Sequence, residues 1–379
     1  MKIAIVGAGT AGLLTALDLC YGLPDEAEIE LIHDPDIAPL GVGEATLYNF
    51  PASLGTIEYS HAENRHDLDA TAKFGVRFKN WKGDGFVPFF AGSHGIHFNT
   101  NELAAFVIPR LKKLYPNFTE LHGTVHGING DGKEVIIGNR WYNYAIDCRG
   151  FNRTQRGNEL PIHVNRAIVF DSMEPSPWDY SYHIAHKNGW MFGIPLSNRV
   201  SFGYLFNEQI TTEQEAFADI QRIVDEGIDG YKPRYSSRPG NFRHYNFESY
   251  HAPSICNRNG NVFVNGNRAL FFEPLQSTSI GAYGFINNII MDAMCQGIDP
   301  NPRFRKLVEE CIMFINLHYR NGSDYDTPFW KYASMRSQDL LFKYDLHNYN
   351  WEYMIDTFQM KERMYSNFLY NCWSNEKGN

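Results

Sequence analysis

The chain begins with a short β-branched apolar run, Lys2-Ile3-Ala4-Ile5-Val6, followed by Gly7-Ala8-Gly9-Thr10-Ala11-Gly12 and then by apolar residues at helical spacing from Leu13 to Leu19. Strand, glycine turn and helix in that order form a cradle for a pyrophosphate. Residues without Cβ let the backbone turn tightly and approach the anion, whose charge then lies at a helix N-terminus. A second strand, Ile29 to Ile32, ends at His33-Asp34, about 20 residues past the glycines, where a dinucleotide fold places an acid on the ribose. Asp34 is the candidate for that contact. A distant apolar strand running into Gly266-Asn267 favours FAD over a nicotinamide cofactor, because many FAD enzymes reach the ribityl chain from such a strand end. Cofactor contacts are therefore expected at Gly7, Gly9, Thr10, Ala11, Gly12, Asp34, Gly266 and Asn267.

The remaining pattern predicts an α/β protein with interwoven lobes. Asn101 to Leu114 reads as a helix, Glu134 to Ile137 and Tyr144 to Asp147 as strands, and Ala167 to Phe206 as several strands. Ile280 to Met294 reads as a long apolar helix, and the stretch from Pro302 to Cys372 is aromatic and mostly helical in pattern. A net charge of -9 without a long Lys/Arg run argues against a nucleic-acid surface. No stretch approaches the roughly 18 uninterrupted apolar residues of a membrane helix. Six scattered cysteines without a C-x-x-C pair suit a reducing cytoplasm. His94/His97 and His183/His186 lack the H-E-x-x-H context of a zinc helix, so no metal is expected.

Further along, Gly41-Val42-Gly43-Glu44-Ala45-Thr46 forms a second glycine-rich segment, and Lys73 leads the run Phe74 to Phe78. These segments, with Asp147-Cys148-Arg149-Gly150-Phe151, Gly189 to Leu196, Glu273-Pro274-Leu275-Gln276-Ser277-Thr278, His318-Tyr319 and Asp326 to Trp330, occur in the order found in flavin-dependent halogenases. The chain thus resembles the tryptophan halogenase family over about residues 1 to 330. The resemblance implies a Rossmann-type FAD-binding α/β fold. On that reading a box-like FAD region spans 1–300, with a β-rich substrate region inserted at about 160–250. A helical C-terminal part, 301–379, completes the substrate site and is shorter than in members acting on free tryptophan.

It also implies FADH2-dependent halogenation of a small electron-rich aromatic. In the family, a flavin hydroperoxide formed from reduced FAD and O2 is attacked by halide, and the resulting hypohalous acid passes to a lysine, here Lys73. The implied catalytic pair is Lys73 and Gln276, with halide held at Thr278 and Ser279 and further cofactor contacts from Gly43, Glu44, Ala45 and Ile280. Trp190, Phe192, Ile194 and Pro195 would separate substrate from flavin. A separate flavin reductase would supply FADH2, since no second nucleotide motif is evident, and a homodimer is one assembly the reading allows.

This sequence departs from the family where Gln276 replaces the catalytic glutamate, Ser279 a glycine, Phe192 a tryptophan, and His33 the usual acid of the second strand. Gln276 cannot act as a carboxylate base. The alternatives are accordingly a flavin monooxygenase, motivated by Gln276 and Phe192, and a degenerate flavin-binding protein, motivated by the lost carboxylate and the short C-terminal part.

Overall fold

The computed structural model describes residues 1–39, 44–47, 50–89, 93–151, 158–160, 163–234 and 241–346. Gly41 to Gly43, Cys372 and the chain beyond 346 lie outside them. Its first layer is a five-stranded parallel sheet in the order Val262–Val264, Tyr144–Asp147, Lys2–Val6, Glu28–His33, Phe118–His122. Side chains alternate across such a strand, and the first strand divides accordingly. Ile3 and Ile5 join the main core with helix Thr10–Gly22 and helix Thr278–Gln296, whereas Ala4 and Val6 pack against the small meander carrying Val135, Ile137 and Tyr142. A parallel sheet needs both faces covered, and these are the two covers.

The second layer is a seven-stranded sheet in the order Arg243–Asn246, Arg166–Ser172, Val200–Phe206, Gly189–Pro195, Ser181–His186, Gly75–Lys79, Gly85–Pro88. It is antiparallel except where Ser181–His186 runs parallel to Gly75–Lys79. Every residue of Gly189–Pro195 is buried. Here too the pleat sorts the side chains: Met191 joins a second core with helix Glu213–Glu226, while Trp190, Phe192 and Ile194 face the main core. Helices Pro300–Tyr319 and Pro328–Lys343 pack on that side, so the expected C-terminal helices are present as far as residue 346. A short sheet of Glu44–Ala45, Gly95–Phe98 and Thr71–Lys73 lies between the layers in sequence and carries Lys73 at a strand end. No helix among the described residues is long and apolar enough to cross a membrane, and the five described cysteines are unpaired.

Candidate active site

The glycine loop follows the first strand directly. Gly7 has φ +106°, and a Cβ there would stand 2.9 Å from the Cys148 carbonyl oxygen; a Cβ on Gly12 would stand 1.8 Å from the Gly7 carbonyl oxygen. Both positions exclude any side chain. Gly9 caps helix Thr10–Gly22 without a side-chain hydrogen bond, and a Cβ on it would meet nothing within 4 Å. The first-turn amides have no intrahelical partner, and among the described residues nothing lies within 4 Å of the Gly9 Cβ position beside them.

The strand Val262–Val264 delivers Gly266 to the same place, with φ +65° and a Cβ position only 2.5 Å from the Ala11 Cβ. Buried Asn265 fixes this crossing by donating to Thr15 Oγ1 at 3.1 Å and Asn287 Oδ1 at 2.7 Å, while Tyr283 donates to Asn267 Oδ1 at 2.6 Å. A cradle that side chains would fill, at an uncapped helix N-terminus, fits the pyrophosphate and ribityl chain of FAD. Asp34 at the end of the second strand accepts from the Thr124 hydroxyl at 2.5 Å and the Asp36 amide at 3.0 Å. Ile280 lies in the first turn of Thr278–Gln296 and Ala45 is buried beside Glu44, whereas Gly43 is outside the described residues.

Glu44 accepts from the Thr10 hydroxyl with both carboxylate oxygens, at 3.1 Å each. Enclosure raises its pKa from 4.5 to about 7, outweighing that hydrogen bond. A raised carboxyl favours the protonated folded form, so its contribution to stability is full below pH 4.5 and lost as pH rises through about 7. The FAD-free chain is expected to lose roughly 3 kcal/mol over that interval, and Glu44→Gln to abolish the loss, as read by urea unfolding at the two pH values.

Lys73 is fully buried, and its ammonium donates to Ser277 Oγ at 3.0 Å and lies 5.4 Å from the Phe89 ring centre. Two imidazoles feel its charge. Burial, then the charge of Lys73, holds His97 and His183 well below the usual histidine range, with His318 a further influence on His183. Thr71, on the same strand as Lys73, donates to the Pro195 carbonyl at 2.7 Å, so the lysine strand is tied to the Gly189–Pro195 wall.

Gln276 is engaged by His318. Its Nε2 lies 2.6 Å from His318 Nε2, whose Nδ1 is 2.7 Å from the Phe314 carbonyl. The carbonyl can only accept, which assigns the proton to Nδ1 and leaves Nε2 to accept from the amide. Gln276 and neutral His318 are thus a matched donor and acceptor. Gln276 and Ser277 both adopt left-handed backbone, at φ 56° and 61°, a conformation costing non-glycine residues on the order of 1 kcal/mol each. This turn starts helix Thr278–Gln296 and frees the Ser277 hydroxyl to receive Lys73; the Thr278 amide donates to the Leu275 carbonyl, and Ser279 follows it at an N-terminus with no side-chain cap. Ser279 itself is helical, so a side chain there meets no backbone penalty.

Trp190 is fully buried and donates through Nε1 to Tyr319 Oη at 2.6 Å; Tyr319 donates to Glu273. The His163 ring stacks on Tyr319 at 4.1 Å, and Trp81 packs against Trp190, Tyr319 and Trp330. Phe192 stands opposite Gly203, where a Cβ would come within 2.2 Å of the ring. The glycine provides room for the ring. Ser277, His318, Tyr319 and Glu273 lie inside segments singled out in the sequence, but their pairing has no local signal. Tyr319→Phe leaves the Trp190 N–H and the buried Glu273 carboxylate without their shared partner, and is expected to destabilise the chain by roughly 3 kcal/mol in urea unfolding.

The chain matches the tryptophan halogenase family profile over residues 2–106 and 117–371. It is 33% identical to tryptophan 6-halogenase SttH of Streptomyces toxytricini over 89% of this chain and 81% of that protein. To tryptophan 7-halogenase RebH of Lentzea aerocolonigenes it is 24% identical over 87% and 79%. The fold is similar to that of a tryptophan halogenase from Shewanella frigidimarina, with a TM-score of 0.77 at 18% identity, covering 100% of this chain and 90% of that one. This chain therefore belongs to the tryptophan halogenase family of flavin-dependent enzymes.

Proposed function

We propose that this enzyme halogenates an electron-rich aromatic substrate with hypohalous acid delivered by Lys73. The observation that carries the reading is the lysine itself: an ammonium with no exposure, aimed by Ser277 at the N-terminus of helix Thr278–Gln296. Reduced FAD, bound across the glycine cradle, supplies the electrons with which O2 and halide give hypohalous acid. The protein's own residues do the rest. Halide is held at Thr278 and Ser279 by the Ser279 N–H and the positive end of the helix, the Thr278 N–H being donated to the Leu275 carbonyl.

Lys73 donates a hydrogen bond to the hypohalous oxygen, which weakens the oxygen–halogen bond and fixes the halogen toward the ring. Atoms balance as ArH + HOX → ArX + H2O, so the departing oxygen takes up the ring proton and a carboxylate at position 276 is not needed for stoichiometry. Trp190, held by Tyr319, and Phe192 keep the ring from the flavin and oppose direct oxygen insertion. A separate reductase in a reducing compartment supplies FADH2 in this reading.

The test is product mass with reduced FAD, O2 and chloride, bromide or iodide, offered indoles, phenols and pyrroles. A halogen-sized mass increase that requires halide supports the proposal. Gln276, an amide where a carboxylate was expected, favours a second reading as a monooxygenase, which an added oxygen without halide would establish instead.

A further inference from the structure

Away from Lys73, two histidines and a glutamate converge at the end of the parallel sheet. His33 closes the second strand and His122 the edge strand Phe118–His122, and the two are register partners, so their side chains leave the same face. Glu120, two residues before His122, shares that face. Its Oε1 is 2.8 Å from His33 Nε2 and 3.0 Å from His122 Nε2, and the three ligand atoms all lie within 4.8 Å of one another. The two rings meet edge to face, with centroids 5.2 Å apart. Both imidazoles therefore direct the same nitrogen at one carboxylate oxygen, an arrangement in which a single cation can replace the two bridging protons.

We propose that His33, Glu120 and His122 bind a late first-row divalent cation of the zinc class. Two imidazoles and one carboxylate form a donor set suited to zinc, and poorly suited to magnesium or calcium, which take oxygen ligands. His33 and Glu120 side chains are only 12% exposed and sit on adjacent paired strands, whereas His122 is 59% exposed and leaves a side open for water as the fourth ligand. Lys112 sits on the other carboxylate oxygen, Oε2, at 2.5 Å, and leaves Oε1 to the imidazoles. The bound ion pins the edge strand to the second strand immediately before Asp34. Its role is structural.

The ligands escaped sequence reading because His33 and Glu120 are 87 positions apart, while the H-x-x-H pairs that resemble metal motifs engage other groups. His97, for instance, is held by Thr71 and Ser181 at 3.0 and 2.9 Å.

The full chain, loaded with FAD and stripped with a chelator, is titrated calorimetrically with Zn2+ and then with Mg2+, alongside His122→Ala, Glu120→Gln and, as a control, His94→Ala. One Zn2+ per chain is expected, with a raised Tm and no saturable Mg2+ binding. His122→Ala and Glu120→Gln should each weaken Zn2+ binding by at least about 100-fold, the upper range for losing even an outer partner of a ligand, while His94→Ala leaves it unchanged. The half-exposed His122 makes its alanine variant the safer of the two for folding, checked by circular dichroism. Absence of a stoichiometric Zn2+ site, or affinity in His122→Ala within about threefold of the parent, overturns the proposal.

Discussion

Lys73→Ala is expected to lower halogenated product at least about 1,000-fold, equivalent to about 4 kcal/mol of transition-state stabilisation, while reduced FAD is still consumed by O2. The lysine lies on a strand of the short sheet and contacts the helix that begins at Thr278, not the glycine cradle, so its loss separates halogen delivery from flavin chemistry. Lys73→Met tests charge at similar length. It should fail equally, because it keeps the stem but donates no hydrogen bond to the hypohalous oxygen. Lys73→Arg keeps the charge but not the compact ammonium that Ser277 receives, and is expected to recover little activity. Product formation in Lys73→Ala within about tenfold of the parent would remove the lysine from the mechanism.

The second large effect is expected from Gly12→Ala. The added Cβ would be placed 1.8 Å from the Gly7 carbonyl oxygen, a backbone atom that cannot swing away as a side chain would. The turn must open, and the amides that face the pyrophosphate move with it. FAD affinity, followed by the change in flavin fluorescence, should fall at least about 100-fold, roughly 3 kcal/mol. Gly9→Ala provides the contrast, since a Cβ there meets nothing within 4 Å among the described residues. It should leave the fold intact and lose affinity only through contact with the cofactor itself. Equal FAD affinity in Gly12→Ala and the parent would contradict the placement of the cofactor.

These two residues differ in how they could be read. The glycine loop is legible because its signal is local: strand, turn and helix occupy consecutive residues, and the backbone demands of Gly7 and Gly12 arise within that unit and from its neighbouring strand. The core faces of Lys2–Val6 and Gly189–Pro195 follow from alternation in the same way. Lys73 was legible only as one member of an ordered set of motifs, since an isolated lysine before an apolar run is ordinarily a surface residue. Its partner Ser277 is 204 positions away, and Tyr319 is 46 from Glu273; no periodicity encodes such pairs. The parallel pairing of Ser181–His186 with Gly75–Lys79 is likewise a long-range register that alternation alone leaves open.

Gln276 illustrates the same limit in chemical terms. From sequence it is a lost carboxylate. In the structure it is an amide fitted to a neutral imidazole, with Phe314 fixing the tautomer of His318. Gln276→Glu would set a carboxylate against the lone pair of His318 Nε2, a pair that must take up a proton on the ring or on the carboxyl to be satisfied. Restoring the family residue is therefore expected to reduce stability unless His318 is changed with it, a coupling that a double-mutant cycle with His318→Gln measures directly.

The most direct test of the central claim is the mass of the product formed by the parent enzyme from an electron-rich indole with reduced FAD and O2, with and without bromide. The account predicts a bromine-for-hydrogen exchange that appears only with bromide and disappears in Lys73→Ala. A product carrying one added oxygen, formed equally well without halide, would contradict it.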